Sequence, residues 1–284
     1  MNVRQIPISR RSLTIAAVLV VMLSLALGAH AALNMRALDA AKAIATEQTS
    51  QASKKGSRVA LVIGNGNYPD ATAPLAQPIN DARALTASLR RDGFEVDVVE
   101  DASKDDMNRA VARLKSRIRP DSMVMLFFGG YGVQVGRESY MIPVDAAIWK
   151  EADVRRDGVS IESVLDVMKE RGARAKLVVV DASRRNPYER RFRAFSHGLA
   201  PISAPDNALI LSSATPGQVA DDSVGQNSVL VAELLNNLTA QAGIESSFNK
   251  TRVAISRASE GVQVPSVSSS LLEDVHFGND NAGG

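Results

Sequence analysis

At 284 residues the chain is long enough for one large or two small domains. Its 45% hydrophobic and 23% charged residues exclude a disordered or fibrous protein, and 4% aromatics with a formal charge of +2 give no basis for a nucleic-acid surface of basic patches and stacking rings. There is no cysteine, so disulfides, thiolate metal sites and a cysteine nucleophile are all excluded.

The N-terminus reads as an export signal covering residues 1–31. Arg4, Arg10 and Arg11 form a positive leader, Leu13 to Ala29 is nearly all apolar, and Ala29-His30-Ala31 is an A-x-A cleavage site. A mature chain would begin near Ala32 and be periplasmic or secreted. The alternative is an uncleaved membrane anchor, since the apolar stretch is close to the roughly 17-residue lower limit for a spanning helix. The segment carries three arginines and no acid, so without it the formal charge falls from +2 to −1. Residues 32–57, with Ala, Gln, Ser, Thr and Lys and one short helical run near Leu38 to Ile44, read as a flexible tether. One domain is expected over 58–279, followed by a disordered tail at 280–284.

Within that domain, Arg58 to Gly64 is an apolar run ended by glycine, the pattern of a buried parallel strand. Ile79, Ala82, Leu85 and Leu89 recur at helical spacing up to Gly93, and Phe94 to Val99 is a second strand. Ser103 with Asp106 predicts a capping box, after which Met107, Val111, Leu114 and Ile118 mark one helical face ended by Pro120. A third strand, Met123 to Phe128, runs into Gly129-Gly130-Tyr131-Gly132 and a polar hairpin reaching Pro143. Ile161, Val164, Leu165 and Met168 mark a further helix before strands at Lys176 to Val180 and Ala208 to Leu211. Helices are expected near Val229 to Ala240 and Phe248 to Ser256. This alternation predicts an α/β three-layer sandwich, a mostly parallel sheet with helices on both faces.

In such sheets ligands bind outside the carboxyl ends of the strands. Three strand-to-loop junctions therefore draw attention: Gly64 to Tyr68, Gly129 to Gly132, and Asp181-Ala182-Ser183-Arg184. The first has G-x-G, but Pro69, Pro74 and Pro78 delay the helix, so a pyrophosphate would meet no helix N-terminus. Two histidines, His197 and His276, remain beyond the signal, too few for a recognisable zinc site.

Taken together and in order, the motifs resemble the bacterial caspase-like peptidases of clan CD, the orthocaspase and metacaspase group. The resemblance spans residues 57–278. It rests on Val62-Ile63-Gly64-Asn65 with Tyr68, Asn80-Asp81-Ala82, Gly93-Phe94-Glu95-Val96, the glycine turn, Tyr140 to Ala146, and Asp181 to Pro187. Gly198-Leu199-Ala200, Thr215 to Ala220 and Val264-Pro265 with Ser268 to Leu271 complete it. It implies a caspase-like fold and a peptidase ancestry with arginine or lysine specificity. No cofactor is implied, the calcium of some relatives being left open.

Both members of the catalytic dyad are replaced. Active relatives read G-H-G at the glycine turn, where the histidine is the base; here Tyr131 stands in its place. They read D-A-C-R at the fourth junction, where the cysteine is the nucleophile; here Ser183 stands in its place. A serine hydroxyl needs a base to take its proton, and a phenol with a pKa of about 10 is not one at neutral pH. Losing nucleophile and base costs a peptidase about a millionfold in turnover. His197, fourteen positions downstream, is the one alternative base for Ser183, and a structural Tyr131–Ser183 hydrogen bond is the competing arrangement.

A second pair of positions matches the relatives. In metacaspase-like proteins two aspartates line the pocket for the basic residue before the scissile bond, and these correspond to Asp81 and Asp181. Carboxylates suit this task because they can accept a guanidinium fork in a partly desolvated cleft. The bland alternatives are a helix cap for Asp81 and a strand-end turn bond for Asp181. The expected partner is a basic peptide segment, with membrane contact only if the signal is uncleaved. The loop from Arg184 to Arg193 is basic enough to occupy such a pocket itself.

Overall fold

A computed structural model describes residues 42, 57–69, 74–182, 199, 202–215, 225–239 and 242–277. The chain divides into two units, Met1–Lys55 and Gly56–Gly284. Of the first, only Lys42 is described, and it is helical. The expected signal and C-terminal tail lie outside the described residues, as does the expected tether apart from Lys42 and Ser57, and as do Ser183, the basic loop and His197. Among the described residues no helix is long and apolar enough to cross a membrane.

The second unit is built on a six-stranded sheet in the order β2-β1-β3-β7-β8-β9. Its strands are β1 (Arg58–Gly64), β2 (Glu95–Glu100), β3 (Met123–Gly129), β7 (Ala175–Asp181), β8 (Ala208–Ser212) and β9 (Ser266–Ser269). Five run parallel, and β9 pairs antiparallel with β8 at the edge. A small antiparallel sheet holds β4 (Gly132–Val135), β5 (Glu138–Met141) and β6 (Val159–Ser160).

The central strands carry continuous apolar runs, such as Val59 to Ile63, Met123 to Phe128 and Leu177 to Val180, because the pleat sends successive side chains into two separate cores. Leu61, Ile63, Leu126, Phe128, Val178 and Val180 enter one core. Val62, Met125, Phe127, Leu177 and Val179 enter the other. The first core is closed by α2 (Lys104–Arg117), through Met107, Ala110 and Leu114, and by α4 (Ile161–Glu170), through Val164, Leu165 and Met168. The second is closed by α1 (Gln77–Arg91), α5 (Val229–Asn237) and α6 (Ile244–Ala258), which contribute Leu85 and Leu89, Leu230 and Leu234, and Phe248 and Ile255. The expected layered architecture is the one observed.

Differences from the sequence reading fall at edges and ends. The seven-residue α3 (Glu151–Asp157), β6 and β9 were not expected. The helix expected at Phe248 to Ser256 runs from Ile244 to Ala258, because Ile244 and Phe248 are both buried in the second core. Ile118 is buried but caps α2 in an extended conformation, since Pro120 stops the helix before it. The capping box at Ser103 and Asp106 forms as expected.

Candidate functional site

The strand order places β1 between β2 and β3, so the chain leaves β1 toward one edge and returns on its other side. Crevices form at the carboxyl ends of strands where such a reversal occurs. There Gly64, Gly129 and Asp181 are direct cross-strand neighbours in register. The strand ends that lead into the three junctions expected to carry chemistry thus lie on one line across the sheet.

The loops are tied together by backbone bonds. Asn65 N–H donates to Gly129 O at 2.8 Å, Gly130 N–H to Asp181 O at 3.2 Å, and Gly132 N–H to Ala182 O at 3.3 Å. The Asn65 side chain is buried; its Nδ2 donates to Ile142 O at 3.1 Å and its Oδ1 accepts Ala102 N–H at 2.9 Å. The glycines around Tyr131 are needed for contact. A Cβ on Gly130, which holds a φ of 156°, would lie 2.6 Å from Tyr68 Oη. One on Gly132 would lie 2.8 Å from the Ala182 Cβ and 2.9 Å from Leu199 Cδ2.

Tyr131, which the sequence resemblance aligns with a catalytic base, is 8% exposed and belongs to an apolar cluster with Tyr68, Val133, Tyr140, Ile142 and Ile148. Its ring meets Tyr68 edge-on with centroids 4.7 Å apart and planes at 61°. The Tyr68 hydroxyl accepts Tyr131 N–H at 3.1 Å and donates to Ile142 O at 2.9 Å. Tyr131 therefore packs in a nearly dry cluster. Ser183 lies outside the described residues, and the expected Tyr131–Ser183 bond lies there with it.

Asp81 and Asp181 are brought together. Asp81 is 0% exposed and Asp181 2% exposed, and the Asp181 charge acts directly on the Asp81 carboxyl. Asp81 is the fifth residue of α1, whose N-cap is Ala76, so it does not cap its own helix. Its Oδ1 instead accepts Asn227 Nδ2 and Ser228 N–H, both at 2.9 Å, from the start of α5. Its Oδ2 is buried and has no hydrogen-bond partner among the described residues. Burial first, then the neighbouring Asp181 charge, raises the Asp81 pKa to about 6, against the opposing pull of the bonds from Asn227 and Ser228.

The sequence reading missed Asn227 and Ser228. They lie 146 and 147 positions from Asp81, and no local pattern reports that pairing. The one available signal was Ser228 before an apolar run, which is an N-cap pattern; its side chain accepts Val231 N–H at 3.2 Å. Two further bonds, Asn80 Nδ2 to Gln226 O at 3.1 Å and Gln77 Nε2 to Gly225 O at 3.4 Å, lash this segment to α1. Among the described residues no cluster of three or more metal-ligating side chains occurs.

Comparison with known proteins agrees with this architecture. The human mucosa-associated lymphoid tissue lymphoma translocation protein 1 is 28% identical over 144 residues, which is 50% of this chain and 17% of that protein. The mouse homologue is 30% identical over the same shares. The chain thus spans well under half the length of the curated relatives it matches. The solved structure of protein GSU0716 from Geobacter sulfurreducens superimposes with a TM-score of 0.56 at 19% identity, covering 78% of this chain and 98% of the other, and so shares its fold. The family described as Caspase domain matches residues 57–276, the whole of the layered unit just described. With its sheet order, its aligned strand ends and that match in hand, the chain belongs to the caspase-domain family.

Proposed function

We propose that this protein is an exported pseudopeptidase that holds arginine- or lysine-bearing peptide segments without cleaving them. The observation that carries the reading is the pairing of two buried carboxylates, Asp81 and Asp181, at the strand ends where the family's chemistry is located. A guanidinium or ammonium entering between them would relieve their mutual repulsion and give the free Asp81 Oδ2 a donor. The loss of cutting rests on the sequence: tyrosine and serine stand at the two dyad positions, and no cysteine exists in the chain. Export and a periplasmic or secreted location rest on the leader at residues 1–31.

The depth of the two carboxylates favours a second reading, a scaffold whose pocket is closed. Both groups are buried, so a ligand must displace what covers them. Binding of a peptide ending in arginine, measured beside the same peptide ending in the neutral isostere citrulline, separates the two. The pocket reading expects the arginine peptide to bind at least about tenfold tighter, a preference abolished by Asp181→Asn. Equal affinity, or none for either peptide, favours the closed scaffold.

A further inference from the structure

We infer that capture of a basic side chain at this site expels a proton from Asp81, and that Asn227 is the positioning residue that sets the pH at which this happens. The inference rests on the peptide-binding reading above and deepens it.

The geometry gives Asp81 two unequal oxygens. Oδ1 is saturated by Asn227 Nδ2 and by the Ser228 N–H at the N-terminal end of the nine-residue α5, both of which favour the charged carboxylate. Oδ2 is buried without a partner among the described residues, which makes it a costly place to leave half of a negative charge and the natural place for a proton. The neighbouring strands supply no relief: β1 ends in Gly64 and β3 in Gly129, neither of which titrates, while β7 brings the like charge of Asp181. From its own helix, Gln77 and Asn80 face the 225–226 carbonyls and carry no charge. The raised carboxyl of Asp81 is the expected consequence of this arrangement.

An incoming guanidinium changes the balance. It donates to Oδ2 and cancels the repulsion between the two carboxylates, so the occupied site holds Asp81 ionised and the proton leaves to solvent. No bond other than that O–H is broken. Asn227 touches the carboxylate and acts through it: with its amide in place the empty site can ionise near neutral pH, and without it the proton is held more tightly.

The test is isothermal titration of the chain with an unlabelled tetrapeptide amide ending in arginine, from pH 5 to pH 8, in two buffers of different ionisation enthalpy at each pH. A midpoint near 6 predicts binding about tenfold weaker at pH 5 than at pH 7.5, with about half a proton released per peptide at pH 6. Asp81→Asn should flatten the profile, and Asn227→Ala should move its midpoint upward by about half to one pH unit. The midpoint is read from the shape of the curve, so it reports on Asp81 whatever the variant does to overall affinity. Binding that is equally tight at pH 5 and 8 without proton exchange overturns the inference while leaving the peptide-binding reading intact. A pH dependence that survives Asp81→Asn, or a midpoint unmoved by Asn227→Ala, overturns it too. No binding by the folded wild type at any pH removes both.

Discussion

Replacing Tyr68 by phenylalanine deletes one oxygen from a ring that is otherwise unchanged, buried, and packed edge-on against Tyr131. That oxygen serves two loops at once, and the two losses are unequal. Ile142 O loses a donor at 2.9 Å but keeps Asn65 Nδ2 at 3.1 Å, so this half costs the net worth of one neutral hydrogen bond, about 1 kcal/mol. Tyr131 N–H loses the oxygen it donates to, inside a cluster that excludes water, and the desolvation of a buried donor costs about 1–3 kcal/mol. The variant should therefore unfold about 3 kcal/mol more easily, read as a lower urea midpoint at unchanged slope. Tyr140→Phe is the control. Its hydroxyl bonds the exposed side chains of Glu138 and Arg155, which water can solvate when it is lost, so no buried backbone donor is stranded and the loss should be smaller. A loss below about 0.5 kcal/mol for Tyr68→Phe would show that Tyr131 N–H is solvated and that the cluster does not fix the glycine turn.

Two further outcomes follow from the same site. Because Asp81 has its carboxyl raised from an ordinary value of 3.8 to about 6, the protonated form is the one the fold favours, so its contribution to stability is full below pH 3.8 and is lost as pH rises through about 6. Asp81→Asn should thus gain on wild type by roughly 2–3 kcal/mol between pH 4 and pH 8 in urea unfolding, and a difference that does not grow with pH contradicts the burial of that charge. Gly132→Ala places a methyl against Ala182 and Leu199 and should cost about 1–3 kcal/mol, visible as a lower Tm; an unchanged Tm means the two loops are not in contact.

How much of this was legible in the sequence depends on burial. The central strands were readable because each is covered on both faces, which leaves continuous apolar runs such as Val59 to Ile63 and Met123 to Phe128. The edge strand β9 was not, because Ser-Val-Ser-Ser is half exposed and looks like a loop; its pairing with β8 is supplied by tertiary context. The helix α3 buries little beyond Val154 and Asp153 and offers no apolar stripe. The aspartate pair was legible through family resemblance alone, since Asp81 and Asp181 are a hundred residues apart. The partners of Asp81, Asn227 and Ser228, were hidden by the same separation: the bonds that orient Asp81 join the start of one helix to the interior of another. Tyr68, quoted for its motif, proved to be the hydroxyl that joins the glycine turn to Ile142.

The most direct test of the central claim is hydrolysis of arginine- and lysine-ended fluorogenic peptides by wild type, measured beside the Tyr131→His, Ser183→Cys double variant. The account predicts a silent wild type and a double variant that cuts after basic residues, with that cutting lost on Asp181→Asn. Cutting by the wild type that Ser183→Ala abolishes would contradict it, and would make this chain a serine peptidase on a caspase fold.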